Sequence, residues 1–387
     1  MQYVDRKRVP PPASFREEAA RIDRLDVLHL MDTTSERLSQ TTPSRSRFEL
    51  AGEETLSALD ELFRGKCAFC EARGRLHVRP YRPAQEAEPL ARSAFAHLYY
   101  TWLRTDWGNA YAACGDCAAA SGNKFPTARA DRGPLPDQEH LEAFANENYG
   151  LWHFGHQDRR ELLDPCEDRA FASHLSFSLS GEIEAFSKKG AQTIAVYDLD
   201  RADLVRARAG TFDIYLRTLF DELERNVRPN VFDFGALEHG GGWSLVLRRI
   251  LKATERRIDR DLKFHPDRVG AIVAGIWETP IEREAFLAAI EDVRGRAERT
   301  TVDRPTSRGE SRRPRRIEVR NFKALQDVKL SLPSALASDP TTGREAEASA
   351  MLILGENAAG KSSILEAIAL TLMDAKVRTN TVRSPGS

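Results

Sequence analysis

What the chain has little of narrows it first. Five cysteines in 387 residues are too few for a disulfide framework, which needs closely spaced thiols in a short secreted chain. Long apolar runs are absent too. The most apolar stretch, 362–373, is broken by Ser, Glu and Thr and falls short of the ~20 residues that cross a bilayer, so no membrane is expected. The opening MQYVDRKRVPPP lacks the apolar centre of a secretory signal, which makes a reducing, cytoplasmic setting the expectation. Neither sign of charge is in excess: 57 Lys and Arg stand against 58 Asp and Glu, for a net charge of −1. A global attraction to nucleic acid is thereby excluded, and any such role must rest on a local site. What is present, 41% hydrophobic and 30% charged residues, is ordinary for a globular protein and excludes disorder as the main state. The length fits two or three domains.

Along the chain, residues 1–66 read as a helical segment. After Pro10, Pro11 and Pro12, the residues Ala19, Ile22, Leu25 and Leu28 recur at roughly helical spacing, and Leu56, Leu59, Leu62 and Phe63 repeat the pattern. Residues 67–126 hold the distinctive chemistry. Residues 127–297 form a helical and mixed remainder, loop-rich to 165, with strands expected within 183–196 and helices over 204–223, 244–258 and 283–296. Residues 298–316, with seven Arg against three acids among Pro, Ser and Thr, read as a basic, exposed linker. In 317–387, Ile317 and Val319 alternate, as do Val328, Leu330 and Leu332, which predicts two short strands. A polar surface loop over 334–348 and an apolar strand over 351–354 follow.

Four of the five cysteines form two pairs, Cys67/Cys70 and Cys114/Cys117. Thiolates are soft ligands, and four of them match the tetrahedral preference of zinc. The doubled CxxC spacing therefore predicts one structural Zn²⁺ site, with Cys166 left over as an ordinary buried thiol.

The residues between and after the pairs are more specific. They read HVRPYRP over 77–83, YYTWLRTDWGNAYAACGDC over 99–117 and NKFP over 123–126. This resembles the HNH endonuclease family, in particular its retron- and Septu-associated anti-phage branch. The matches include Cys67, Cys70, Glu71, His77, Arg79, Pro80, Tyr100, Trp102, Leu103, Trp107, Asn109, Cys114, Cys117, Gly122, Lys124, Phe125 and Pro126. The opening residues and the segments LLDPCED, HLSF and AQTIAVYDLDRADLVRAR extend the likeness over roughly 210 residues. The resemblance implies a β-hairpin and a following helix that share one divalent ion, Mg²⁺ or Mn²⁺, which stabilises charge at the scissile phosphate. It implies His77 as general base toward water, since histidine titrates near working pH, and Asn109 as the residue that orients that histidine or the hairpin. Arg79, Arg82 and Lys124 are implied phosphate contacts, and DNA is the expected nucleic acid, with RNA as the open alternative.

The departures from that pattern bear on catalysis. The acid expected before the histidine is Leu76. The Asn or His expected after the last cysteine is Ala118, and the Lys expected a turn later is Ser121. Neither Leu nor Ala can ligate a hard cation. Two readings stay open. Either the domain is a degenerate nuclease that binds nucleic acid or a partner without cutting, or other groups supply the ligands, with Glu71, His97, Asp106 and Asp116 as candidates.

A second constellation, GENAAGKSS, satisfies GxxxxGK[ST] with Gly355, Gly360, Lys361 and Ser362. A strand before it and a helix after it complete the context of a phosphate-binding loop. Backbone N–H groups of the loop, Asn357 and Ser363 included, would surround the phosphates. Lys361 would reach the β- and γ-phosphates, and Ser362 would hold Mg²⁺. The lead-in RIEVRNFKALQDVKLSL resembles the N-terminal strands of RecF/SMC-type ABC ATPases. The sequence runs only 24 residues past Ser363, without room for a Walker B acid. The segment is thus expected to use ATP and Mg²⁺ only when completed by another chain or by its own missing C-terminal part, and a truncated gene product is a third reading. The fold expected is α+β: a mostly helical HNH (ββα-metal) domain with a four-cysteine zinc knuckle, then a truncated α/β P-loop segment.

Overall fold

A computed structural model describes residues 1–128, 132–146, 150–227, 229–258, 260–294, 316–323, 325–331, 336–338, 345–347 and 363. The chain divides into two units, Met1–Thr300 and Thr301–Ser387. In the first, α1 (Glu18–Met31), α2 (Ser35–Leu38) and α3 (Glu53–Phe63) precede a hairpin of β1 (Leu76–Pro80) and β2 (Ala110–Cys114). Helix α4 (Gly115–Ser121) continues directly from β2. Next come α5 (Gln138–Asn146), a second hairpin of β3 (Leu175–Phe177) and β4 (Ile183–Ala185), and helices α6 (Lys188–Tyr197), α7 (Ala202–Glu224), α8 (Gly240–Ile258), α9 (Val269–Glu278) and α10 (Pro280–Val293).

Two helices position the β1–β2 hairpin. In α3, Leu59, Leu62 and Phe63 form the buried stripe, and Glu53 and Glu54 occupy the first turn, where the helix dipole favours acids. Arg64 ends α3 in the left-handed region at φ 54, and Gly65 follows at φ 70. The Gly65 N–H returns to the Asp60 carbonyl, a left-handed stop of the kind that satisfies orphan helix carbonyls. That reversal sends the chain straight into Cys67. Helix α3 packs on both strands of the hairpin, and α4 packs on α6.

Helix α8 supplies the long-range core. Trp243, Val246, Leu247, Ile250 and Leu251 are fully buried at the i, i+3, i+4, i+7, i+8 spacing of one helical face. That face meets α10, through Phe286, Ala289 and Ile290, and also meets β3. Burying each large apolar side chain contributes roughly 1.5–3 kcal/mol. Truncating Ile250 to Ala would cost about 2–5 kcal/mol.

Three expectations change on folding. Strand structure within 183–196 is confined to β4, because Ser187 caps a helix there: its Oγ accepts the Gly190 N–H at 3.0 Å. The loop-rich stretch to 165 contains α5, whose buried residues are only Leu141, Phe144 and Ala145, too few to stand out as a period. Within the expected loop over 334–348, β7 (Leu336–Ser338) pairs antiparallel with β8 (Glu345–Glu347). In the second unit, β5 (Arg316–Phe322) pairs with β6 (Leu325–Ser331), in register from Arg316↔Ser331 to Phe322↔Leu325. The expected strand over 351–354 and nearly all of the basic segment 298–316 lie outside the described residues.

Asp106 shows how this fold holds a buried acid. Its Oδ1 accepts the N–H groups of Gly108 and Trp152, both at 2.9 Å. Burial pushes its carboxyl up to about 6, although both N–H groups, Arg6 and Arg82 pull it down. A carboxyl raised on folding favours the native state while protonated. Its contribution is complete below the ordinary aspartate range near 4 and is lost as pH rises through about 6. Asp106→Asn keeps the acceptor and removes the buried charge. Denaturant unfolding should find Asp106→Asn at least as stable as wild type at pH 8, by up to roughly 2 kcal/mol, with the fall between pH 4 and 6 abolished. A variant destabilised at pH 8 with the wild-type pH profile would contradict this.

Candidate metal centre and nucleic-acid face

The four thiols converge because three local structures bring them together. Cys67 and Cys70 sit on the turn that leaves α3, which is closed by Cys67 N–H to the Ala72 carbonyl and Glu71 N–H to the Cys67 carbonyl. The Ala68 N–H reaches Ala112 of β2 at 2.8 Å. Cys114 ends β2, and Cys117 lies in the first turn of α4. All four Sγ atoms fall within 4.8 Å of one another, and Cys70 to Cys114 is 3.6 Å. A tetrahedral ion at ~2.3 Å from each sulfur requires S–S separations of about 3.8 Å. Cys67, Cys70 and Cys117 are buried, and Cys114 is half-buried. The donor set suits a soft tetrahedral divalent ion such as zinc.

Two charged groups respond to the cluster. Hydrogen bonds from Cys117, Cys67 and Cys70 hold the Cys114 thiol far below its ordinary value, against the opposing effect of burial. The Arg201 guanidinium lies 3.9 Å from Cys117 Sγ and 3.5 Å from Asp116. Burial lowers its proton affinity, but attraction to Cys117 and Cys70 more than reverses that. Four thiolates around a divalent cation would carry a net charge of −2, and Arg201 offsets part of it.

Glu71, directly after the first pair, ties the thiol loop to the rest of the unit. Only 4% of it is exposed. Its carboxylate accepts the Met1 ammonium at 2.8 Å and the Gly241 and Gly242 N–H groups at the N-terminus of α8. Its backbone carbonyl accepts the His239 N–H, and His239 Nδ1 lies 2.8 Å from the Cys70 carbonyl. Burial alone would raise the Glu71 carboxyl, yet the ammonium, Lys66 and His239 hold it below the ordinary carboxylate value.

The residues singled out in the sequence are not all brought together. His77 is exposed in β1, opposite Ala113 in the register, and Arg79 follows two positions on, opposite Tyr111. The period of two places both on one face. Asn109 lies at the other end of the hairpin, four positions along β2 from Ala113, or about 13 Å. It is 2% exposed. Its Oδ1 accepts the Arg82 N–H at 2.7 Å, and its Nδ2 donates to the Arg82 carbonyl at 2.9 Å. Asn109 therefore fixes the hairpin rather than the ring of His77. Arg82 corrects the expectation of a phosphate contact. It is 4% exposed and grips Asp158 through Nε at 2.8 Å and Nη2 at 3.2 Å. Lys124 is exposed and donates to the Ala120 carbonyl at the end of α4.

The alternative ligands are occupied as well. Asp106 binds two backbone N–H groups, Asp116 faces Arg201, Glu71 holds the Met1 ammonium, and His97 Nε2 contacts the Thr41 carbonyl. Leu76 is buried, and it lines a shallow surface cavity with Leu56 of α3. Ser121 is buried and donates to the Ala118 carbonyl. Of the phosphate-loop residues, Gly355, Asn357, Gly360, Lys361 and Ser362 lie outside the described residues, and Ser363 is described alone.

Sequence reasoning missed Arg201, 84 residues from Cys117. It also missed the buried network in which Asp158 accepts from Arg82 and from Tyr100 Oη at 2.7 Å, while Arg132 donates to the Phe125 and Ala87 carbonyls. No local spacing announces either.

Comparison with known proteins adds three findings. A family model described as an AAA domain matches residues 316–386. The chain is 26% identical over 353 residues to Septu protein PtuA of Bacillus mycoides (strain KBAB4), covering 83% of this chain and 46% of that protein. It is 28% identical over 201 residues to Septu protein PtuB of the same strain, covering 47% of this chain and 62% of that protein. The chain thus spans roughly half the length of the curated relatives it matches. No solved structure matches it. Among the described residues, no helix is long and apolar enough to cross a membrane.

Two measurements follow from the cluster. Elemental analysis of purified protein should give about one zinc per chain, falling close to zero in Cys117→Ala. Arg201→Gln should keep the metal but release it to a chelator about tenfold faster or more, as loss of an outer-shell partner does elsewhere. Unchanged release would remove Arg201 from the account.

Proposed function

We propose that this chain is an anti-phage defence protein. Its first unit is an HNH-type, zinc-knit module that cleaves nucleic acid, DNA in the first instance. Its second unit contributes the nucleotide-binding start of an ABC-type ATPase. The observation that carries this reading is the hairpin–helix unit itself. β1 and β2 are antiparallel, α4 follows β2 directly, four thiols close its base, and His77 stands exposed on β1 beside Arg79. The similarity to the two Septu proteins supports the defence setting and the pairing of such a module with an ATPase.

In this reading His77 takes the proton from an attacking water, and Arg79 and Lys124 face the phosphates. A divalent cation, Mg²⁺ or Mn²⁺, would supply charge stabilisation at the leaving oxygen. In the second unit, Lys361 and Ser362 would hold ATP and Mg²⁺.

One observation favours a second reading, in which the module binds nucleic acid or the ATPase partner without cutting. The position before His77 is a buried leucine, and each acid weighed as a substitute ligand already has a partner. A plasmid-nicking assay with Mg²⁺ or Mn²⁺ separates the two. The nuclease reading predicts nicking by wild type, reduced at least ~10²-fold by His77→Ala. DNA binding that persists in both proteins, with no nicking by either, selects the binding reading. Arg82→Ala should lower stability by about 3–5 kcal/mol, because it strands the buried Asp158.

A further inference from the structure

The first unit contains a cleft of about 550 Å³ beside the thiol loop, bordered by the first residues of the chain, the turn after α3, α8 and the segments 232–235 and 264–267. Its size is that of small-molecule sites. Five basic side chains line it, and two of them are held by carbonyl or carboxylate partners. Lys66 donates to the Gly235 and Leu237 carbonyls at 2.6 and 2.8 Å, and Arg64 faces Asp233 at 3.4 Å. The remaining three, Arg8, Arg169 and Arg248, are exposed, and no carboxylate among the described residues lies within ion-pair distance of them. Three guanidiniums without an ion-pair partner meet one acid in the lining that no Lys or Arg neutralises, Asp267, since Asp233 faces Arg64 and Glu71 holds the Met1 ammonium.

Aromatic rings accompany these cations. Arg169 sits 4.6 Å over the Tyr3 ring and donates to its Oη at 3.2 Å. Arg248 lies 5.9 Å from the Phe264 ring, which neighbours Phe234. Guanidinium forks match phosphate oxygens, and aromatic faces stack on bases. We propose that this cleft binds a nucleoside 5′-phosphate, with Arg8, Arg169 and Arg248 taking the phosphate and the aromatic side chains taking the base. The ligand is either a free nucleotide or the 5′ end of a single strand. The proposal involves neither the β1 face nor the phosphate loop, so it stands or falls apart from the proposed nuclease.

The experiment uses the full chain carrying His77→Ala and Lys361→Ala, so that neither cleavage nor the phosphate loop contributes. Calorimetric titration with dTMP, with inorganic phosphate, and with ten-residue oligo(dT) with and without a 5′-phosphate reads the site. Binding of dTMP is expected with a dissociation constant below ~1 mM. The double substitution Arg169→Glu/Arg248→Glu should weaken it at least tenfold, each single Arg→Gln threefold or more, and Arg217→Glu on α7 less than twofold. Metal content and melting temperature should stay at the parent values. Equal binding of dTMP and the 5′-phosphorylated strand identifies a free nucleotide as ligand. Binding of that strand tenfold tighter than dTMP and the unphosphorylated strand identifies a strand end. Absence of dTMP and strand binding, phosphate alone binding as tightly as dTMP, or variants that bind like the parent would each overturn the proposal.

Discussion

Everything near the proposed nuclease face depends on one constraint: four thiolates, drawn from a turn, a strand end and a helix N-terminus, must meet at one point. The β1–β2 hairpin is two-stranded, and a two-stranded hairpin alone is marginal in water. A metal held by the cluster would convert that weakness into a fixed geometry by tying the exit of α3 to the junction of β2 and α4. Metal binding in such small modules is itself folding free energy. His77 lies one residue from Leu76, and Leu76 is opposite Cys114 in the register. The orientation of the exposed face is therefore set within one residue of the cluster.

A second layer connects that cluster to the helical part of the unit. Glu71 ties the first thiol pair to the N-terminus of α8, and α8 carries the stripe that packs on α10. Arg201 approaches the second thiol pair from the start of α7. Both links are electrostatic; the Glu71 link is buried, where charge-assisted hydrogen bonds are strong and the loss of one partner is costly, and Arg201 is half-buried. The module and the helices thus share buried polar groups as well as apolar surface.

Much of this was legible in the sequence. The doubled CxxC spacing announces its own geometry, because metal coordination restricts where sulfur can lie. Helices such as α3, α7 and α8 could be read because their apolar residues repeat over several turns. Less legible were partnerships set by tertiary approach, such as Arg82 with Asp158, Glu71 with α8, and Arg201 with Cys117. The type of an arginine says nothing about whether it faces phosphate or an interior carboxylate, and Arg82 is the case in point. The tryptophan-rich block that carried the family likeness is chiefly core: Tyr100, Leu103, Trp107 and Asn109 are all buried. It speaks for architecture more than for chemistry. The phosphate loop remains a reading of sequence, joined by the AAA-domain match over 316–386.

The most direct test of this account is amide hydrogen exchange on the full chain with and without its metal. If the thiolate cluster fixes the hairpin, chelation should raise exchange sharply across 67–80 and 110–121 while α8 and α10 keep their protection. Hairpin amides that stay equally protected after the metal is removed would contradict the account, because the face bearing His77 would then owe its shape to something other than the four cysteines.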